Sequence, residues 1–188
     1  KKVILKFVMK YSKFNYQKRI SYGMQYISSA DVASVKESLK AKMITQGLNV
    51  ERFEKKLSTF FGSKYSLAVS SGTAALHLSM LALNLKKGDK VLTSPISFLA
   101  SANCAEYVGC RTEFCDINDL TYTIDPEKIE TRLKKDKKIK VIIVVDYAGH
   151  PADWKDLAFL KKKYGVTLIN DNCHALGAKI DNNKYYAI

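Results

Sequence analysis

The sequence has no C-x-x-C pair, no G-x-G-x-x-G, no internal repeat and no apolar run long enough to cross a bilayer. Each absence excludes a class. Without a long apolar run no transmembrane helix is expected. Without the glycine fingerprint after a strand, a dinucleotide-binding Rossmann domain is not expected. The four cysteines, Cys104, Cys110, Cys115 and Cys173, lack zinc spacing, so no metal site is expected. They fall in apolar surroundings and read as buried thiols of a reduced, cytoplasmic compartment. The start, Lys1 to Val8, is basic and apolar but short and without a small-residue cleavage site, so it is not read as a signal peptide. Position 1 is not Met; Met9 reads as the natural start and residues 1–8 as non-native.

Acidic residues are also scarce. Against 31 Lys and Arg stand 18 Asp and Glu, a net charge of +13. Such a balance suggests a nucleic-acid partner, and a non-catalytic basic α/β module that binds nucleic acid is one alternative reading. The favoured reading is different. Lys134-Lys135-Asp136-Lys137-Lys138 and Lys161-Lys162-Lys163 both fall at the ends of predicted amphipathic helices, where Lys suits the negative end of the dipole. Neither cluster carries interleaved aromatics for base stacking. Neither nucleic acid nor a membrane is therefore expected as a partner.

What is present is enough for one domain: 188 residues, 47% hydrophobic. From Asp31 onward the pattern alternates helix and strand. Helices are expected over Asp31–Lys42, Val50–Phe61 (closed by Gly62), Thr73–Leu85, Ala100–Tyr107, Pro126–Lys134 and Trp154–Tyr164 (closed by Gly165). Strands are expected over Tyr65–Val69, Lys90–Thr93, Thr112–Cys115, Lys140–Val145 and Val166–Asn170. The helix from Thr73 is apolar on most sides and is expected to be buried. Residues 1–30 read as an irregular arm. Buried strands alternating with helices imply a mainly parallel α/β sheet.

Ligands of such sheets collect at the carboxyl ends of the strands. One stretch there is Ser70-Ser71-Gly72-Thr73-Ala74-Ala75-Leu76. A helix opening at Thr73 presents unpaired N–H groups and its positive dipole end, Gly72 admits close approach, and Ser71 and Thr73 offer hydroxyls: a phosphate cup. A plain N-cap would use the same residues. A second stretch is Asp171-Asn172-Cys173-His174-Ala175, after an apolar strand, and a third is Ser94 to Phe98. Asp171 could equally cap a loop, His174 be structural and Phe98 be core. Together they meet the needs of pyridoxal 5'-phosphate: an anion anchor, a flat stacking surface, and a carboxylate that favours the protonated ring nitrogen.

With those motifs in view, the chain resembles the DegT/StrS family of sugar-nucleotide aminotransferases, in the fold-type I pyridoxal-phosphate class. The likeness covers residues 19–186. It also rests on Arg19-Ile20-Ser21-Tyr22-Gly23, Ile44-Thr45-Gln46-Gly47, Ser94-Pro95-Ile96-Ser97-Phe98-Leu99-Ala100-Ser101-Ala102-Asn103 and Asp146-Tyr147-Ala148-Gly149-His150-Pro151-Ala152-Asp153. The resemblance implies a three-layer α/β fold with helices on both faces of the sheet. Residues 31–188 would be part of the cofactor-binding large domain, and a C-terminal small domain would be absent. Gly72, Thr73 and Ala74 would hold the phosphate, Phe98 would stack on the ring, Asp171 would pair with the ring nitrogen, and His174 would brace the ring or Asp171. Tyr22, Thr45, Gln46, Gly47 and Ser71 would line the nucleotide-sugar or cofactor side. The implied reaction moves an amino group from glutamate to a 4-keto-6-deoxy nucleotide sugar for surface-polysaccharide or pseudaminic-acid-type sugars, in a homodimer. A sugar dehydratase of the same fold is the alternative.

Two departures stand out. Asn170 and Asn172 flank Asp171, where the family usually has an acidic and a small residue. The family's Schiff-base lysine lies further along than Ile188; Lys179 and Lys184 are too close to Asp171 and read as surface residues. The chain is therefore expected to be an N-terminal fragment, inactive alone.

Overall fold

A computed structural model describes residues 25–45 and 47–180, which fall into two units, Lys1–Gly47 and Leu48–Ile188. In the first unit, helix α1 (Ser29–Leu39) is fixed by a reciprocal cap. The Ser28 hydroxyl accepts from the Asp31 N–H at 3.2 Å, while the Asp31 carboxylate accepts from the Ser28 N–H at 2.7 Å. The Ser28 N–H and then the Ser28 hydroxyl, both donated to it, hold the Asp31 carboxyl below the usual range. The cap also starts the helix two residues inside the stretch expected to be an irregular arm.

The second unit opens with α2 (Leu48–Phe61), which stops where Gly62 turns left-handed at φ 67°. Residues 65–69 then correct one expectation: they are not a strand. The alternation of Tyr65, Leu67 and Val69 suits a half-buried strand, yet among the described residues no neighbour completes a ladder. The Ala68 N–H is instead donated to the Glu54 carboxylate at 2.8 Å, and Leu67 is 82% exposed. The expected helix follows as α3 (Gly72–Ala82).

Thereafter strands and helices alternate as expected: β1 (Lys90–Thr93), α4 (Ala100–Glu106), β2 (Arg111–Phe114), α5 (Pro126–Lys135), β3 (Ile139–Val145), a short 3-10 turn (Tyr147–Gly149), α6 (Trp154–Tyr164) and β4 (Thr167–Asp171). The four strands form one parallel sheet in the order β2-β1-β3-β4. Asp125 caps α5 by accepting from the Glu127 N–H, with Pro126 in the first turn, and Gly165 ends α6 at φ 68°.

Alternation along β3 feeds two cores. Ile142 and Val144, with Leu92 and Leu168, pack against Ile129 and Leu133 of α5 and Trp154, Leu157 and Leu160 of α6. Val141 and Ile143, with Val91, pack against Leu76 and Met80 of α3 and Ala100, Cys104 and Ala105 of α4. The result is the expected three-layer arrangement, a sheet between two helical layers. Two burial expectations are corrected. Within α3 only Leu76 and Met80 are buried, while Leu78 and Leu81 are half exposed. Among the cysteines, Cys104, Cys110 and Cys115 are buried but Cys173 is exposed.

The lysine clusters close α5 and α6 as anticipated. Lys163 and Lys134 both pair with Glu130, at 2.7 and 3.2 Å. At the opposite edge of the sheet from the site, Lys90 bridges Asp136 and Glu113, and Arg132 also reaches Glu113. Among the described residues no helix is long and apolar enough to cross a membrane.

The central strand should dominate stability. Ile142→Ala removes a fully buried side chain and is expected to cost about 2–5 kcal/mol. Leu67→Ala, on a mostly exposed residue, should change stability by less than about 0.5 kcal/mol. Urea midpoints of the two variants check the contrast.

Candidate active site

The site lies where β3 and β4 end together. Val145 pairs with Asp171, and the Asp146 N–H is donated to the Asp171 carbonyl at 3.2 Å. A cavity of about 240 Å³ opens there. Its wall includes Gly72, Thr73, Phe98, Tyr147, Asp171 and His174. Three separate strand tips and one helix start thus meet around one small volume.

The helix start is built by Ser71. Its backbone is extended at φ −164°, and its hydroxyl accepts from the Ala74 N–H at 3.1 Å. The Gly72 and Thr73 N–H groups precede the first intrahelical bond and face no carbonyl of their own helix. Ala74, the third residue expected at the phosphate, is not on the wall; its N–H is spent on Ser71. At Gly72 a Cβ would meet the Cys173 sulfur at 3.0 Å. Absence of a side chain is therefore what lets the β4 tip and the helix start close on each other. Although Cys173 is exposed overall, desolvation, then its hydrogen bond with Asp171 and that residue's charge, push its thiol up to about 11. The neutral sulfur adds no negative charge beside the helix start.

Asp171 is 6% exposed. Its Oδ2 accepts from the Ser101 hydroxyl at 2.7 Å, and its Oδ1 faces the Cys173 N–H at 3.4 Å. Ser101 in turn lies 2.6 Å from the Ser97 hydroxyl. Phe98, the next residue, is 73% exposed and presents its ring to the cavity. The His174 ring sits 6.2 Å from the Tyr147 ring at 60°, an edge-on contact.

Asp146 supports this wall from behind. Buried at 3% exposure, its Oδ1 accepts from the Ala152 N–H at 2.8 Å and the Trp154 indole N–H at 3.1 Å. Burial raises its carboxyl above the ordinary range; these donors and the Asn170 side chain oppose the shift. The turn it anchors is tight: Ala148 has φ 53° and Gly149 φ 86°, and a Cβ at Gly149 would meet the His174 carbonyl at 3.3 Å. The two asparagines flanking Asp171 are both near, and the Oδ1 atoms of Asn170 and Asn172 are buried without a hydrogen-bond partner.

Of the expected site residues, Gly72, Thr73, Phe98, Asp171 and His174 share the cavity wall and Ser71 caps the adjoining helix. Thr45 and Gly47 belong to the first unit; Tyr22 and Gln46 lie outside the described residues. Lys179 is exposed, and Lys184 lies outside the described residues. Ser97, Ser101, Tyr147 and Cys173 were not among the expected site residues. Ser101 carried a readable signal: it shares a helix face with Cys104 and Ala105, and a polar residue on a buried face needs a partner.

The donor set suits a phosphorylated aromatic ring: N–H groups at a helix start, an exposed flat side chain, and a buried carboxylate with capacity to accept. The comparisons agree. The sequence profile of the DegT/DnrJ/EryC1/StrS aminotransferase family matches residues 25–186, and the chain belongs to that family. It is 38% identical over 166 residues to a UDP-4-amino-4,6-dideoxy-N-acetyl-beta-L-altrosamine transaminase of Campylobacter jejuni, covering 88% of this chain and 44% of that enzyme. Among solved structures, Helicobacter pylori PseC, an aminotransferase involved in the biosynthesis of pseudoaminic acid, superposes with a TM-score of 0.82 at 31% identity, over 89% of this chain and 45% of that one. A GDP-4-keto-6-deoxymannose-3-dehydratase with a trapped PLP-glutamate geminal diamine also superposes with a TM-score of 0.82, at 26% identity, over 89% of this chain and 44% of that one. The chain thus spans somewhat under half the length of these relatives.

The buried Asp146 makes a signed prediction. A carboxyl raised in the folded state binds its proton more tightly there than when unfolded. Stability from this group is present at acid pH and is lost as pH rises through the raised value. Asp146→Asn keeps an oxygen for Ala152 and Trp154, and turning the Asn170 amide gives its orphaned Oδ1 the new N–H. Its stability relative to the parent should therefore rise between pH 4 and pH 7. Asp146→Ala leaves both buried donors unpaired and should cost about 1–3 kcal/mol. Urea titrations across pH check both.

Proposed function

We propose that the protein is a pyridoxal-phosphate-dependent aminotransferase that carries an amino group from glutamate to a 4-keto-6-deoxy sugar held on a nucleotide. Residues 31–188 would be part of its large, cofactor-binding domain, and a cytoplasmic homodimer completes the reading. The observation that carries it is the shared wall of Gly72, Thr73, Phe98, Asp171 and His174 around a single cavity.

In this reading the N–H groups of Gly72 and Thr73 bind the phosphate, helped by the helix dipole. Phe98 covers the ring and keeps water off it. Asp171 holds a proton at the ring nitrogen, and His174, braced by Tyr147, limits the ring's tilt. The bound cofactor supplies an electron sink for the carbon that gains or loses the amino group. Everything this chain contributes is grip, alignment and charge placement. The half-exposed Leu78 and Leu81 of α3 support the dimer, as apolar surface left for another chain to cover.

The dehydratase reading keeps the same site, and it is favoured by a superposition on the dehydratase as good as that on the aminotransferase. Mass spectrometry of a nucleotide keto-sugar incubated with the whole protein and glutamate separates the two. Gain of an amino group supports transamination; loss of a hydroxyl supports dehydration.

The site itself is tested by binding. Phe98→Ala and Asp171→Ala should each weaken affinity for pyridoxamine phosphate by about tenfold or more, since each removes a stacking face or a charge-assisted hydrogen bond. Fluorescence titration reads the change. Unaltered affinity in both variants would refute the assignment.

A further inference from the structure

Ser101 departs from the habit of four other hydroxyls on these helices. Ser38, Thr59, Ser79 and Thr131 each bond the carbonyl four residues earlier, at 2.8 to 3.0 Å. That is the ordinary habit of a helical hydroxyl. Ser101, fully buried in the first turn of α4, instead reaches Asp171, 70 residues away. The bond passes over the end of β3, because β1, which leads into the Ser97 loop, and β4 are not neighbours in the sheet.

The direction of the chain is fixed by counting protons. As a carboxylate, Asp171 can only accept. Ser101 has one hydroxyl proton and spends it on Asp171 Oδ2. The 2.6 Å contact with Ser97 must then be donated by Ser97. Each donor polarises the next, so the two bonds reinforce one another. Ser97 is half-buried, lines the cavity and directly precedes Phe98.

We infer that Ser101 and Ser97 are positioning residues: a directed hydroxyl relay that aims the Asp171 carboxylate at the ring nitrogen and ties it to the loop bearing the stacking ring. This rests on the role given to Asp171 in the proposed function. Ser101 on Oδ2, together with the Cys173 N–H and thiol on the same carboxylate, keeps it in one orientation, and of these partners Ser101 is the one that joins it to the Ser97 loop. Ser97 acts only through Ser101.

Two probes separate aiming from mere packing: pyridoxamine phosphate, and its 1-deaza analogue with carbon in place of the ring nitrogen. Affinities are measured on the whole protein for the parent, Asp171→Ala, Ser101→Ala, Ser97→Ala and the double serine variant. Ser101→Ala should weaken pyridoxamine phosphate about fivefold to tenfold and leave the deaza analogue within about twofold. Ser97→Ala should lose about two- to threefold, again only for the natural ring, and the double variant should be no worse than Ser101→Ala. Equal losses for both probes, or additive serine effects, overturn the relay. If Ser101→Ala does not fold, the selective loss in Ser97→Ala carries the test, and its absence overturns the relay. If Asp171→Ala discriminates between the probes and the serine variants do not, the relay alone fails. If Asp171→Ala does not discriminate, the ring-nitrogen role fails, and the relay with it.

Discussion

Two parallel strands that end level with one another govern this edge of the sheet. β3 and β4 pair residue for residue from Val141 and Thr167 to Val145 and Asp171, and the next amide, of Asp146, closes onto the Asp171 carbonyl. Because side chains alternate along a strand, a slip of one residue would turn Asp171 to the other face. The two faces of β3 meet differently shaped layers, Trp154 and Leu157 on one side and Cys104 and Ala105 on the other, and that difference resists the slip. Site geometry is therefore a by-product of core packing.

The two buried acids at this edge have different surroundings. Asp146 takes two fixed donors on one oxygen and braces a turn with two left-handed residues. Asp171 takes the Ser101 hydroxyl, a long contact from the Cys173 N–H and the neutral Cys173 thiol, and lies on the cavity wall. One acid is spent on architecture; the other keeps capacity for something outside the protein. Asn170, whose side chain bonds Asp146, sits between these roles. A carboxylate there would put a further negative charge beside two buried acids, a costly arrangement.

Much of this was legible in the chain. Pro126 in a first turn, Gly165 after a last one and the unbroken run of β3 fix helices and strand by local chemistry alone. Gly72 and Thr73 could be named because a Ser-Gly-Thr run opens a helix, and Phe98, Asp171 and His174 because they follow the ends of apolar strands. Residues 65–69 could not be read correctly, because alternation shows a willingness to pair and not whether a partner is there. Burial of α3 was overstated for a similar reason: Leu78 and Leu81 are apolar, but burial depends on what arrives opposite them. The early start of α1 followed from one local bond, Ser28 with Asp31. Helix spacing marks Ser101 as a buried hydroxyl in need of a partner, but that the partner is Asp171, 70 residues on, no periodicity encodes, and Ser97 joins only through Ser101.

The close approach of Gly72 to the Cys173 sulfur has an evolutionary consequence. These positions, a hundred residues apart, form a single steric unit in which one atom fills the place that another would claim. Drift at either is constrained by the other. A methyl at 72 asks the sulfur at 173 to give way by a few tenths of an ångström, and a bulkier residue at 173 has more room while 72 stays bare. Lineages that carry this half of the fold should exchange the two positions as a pair.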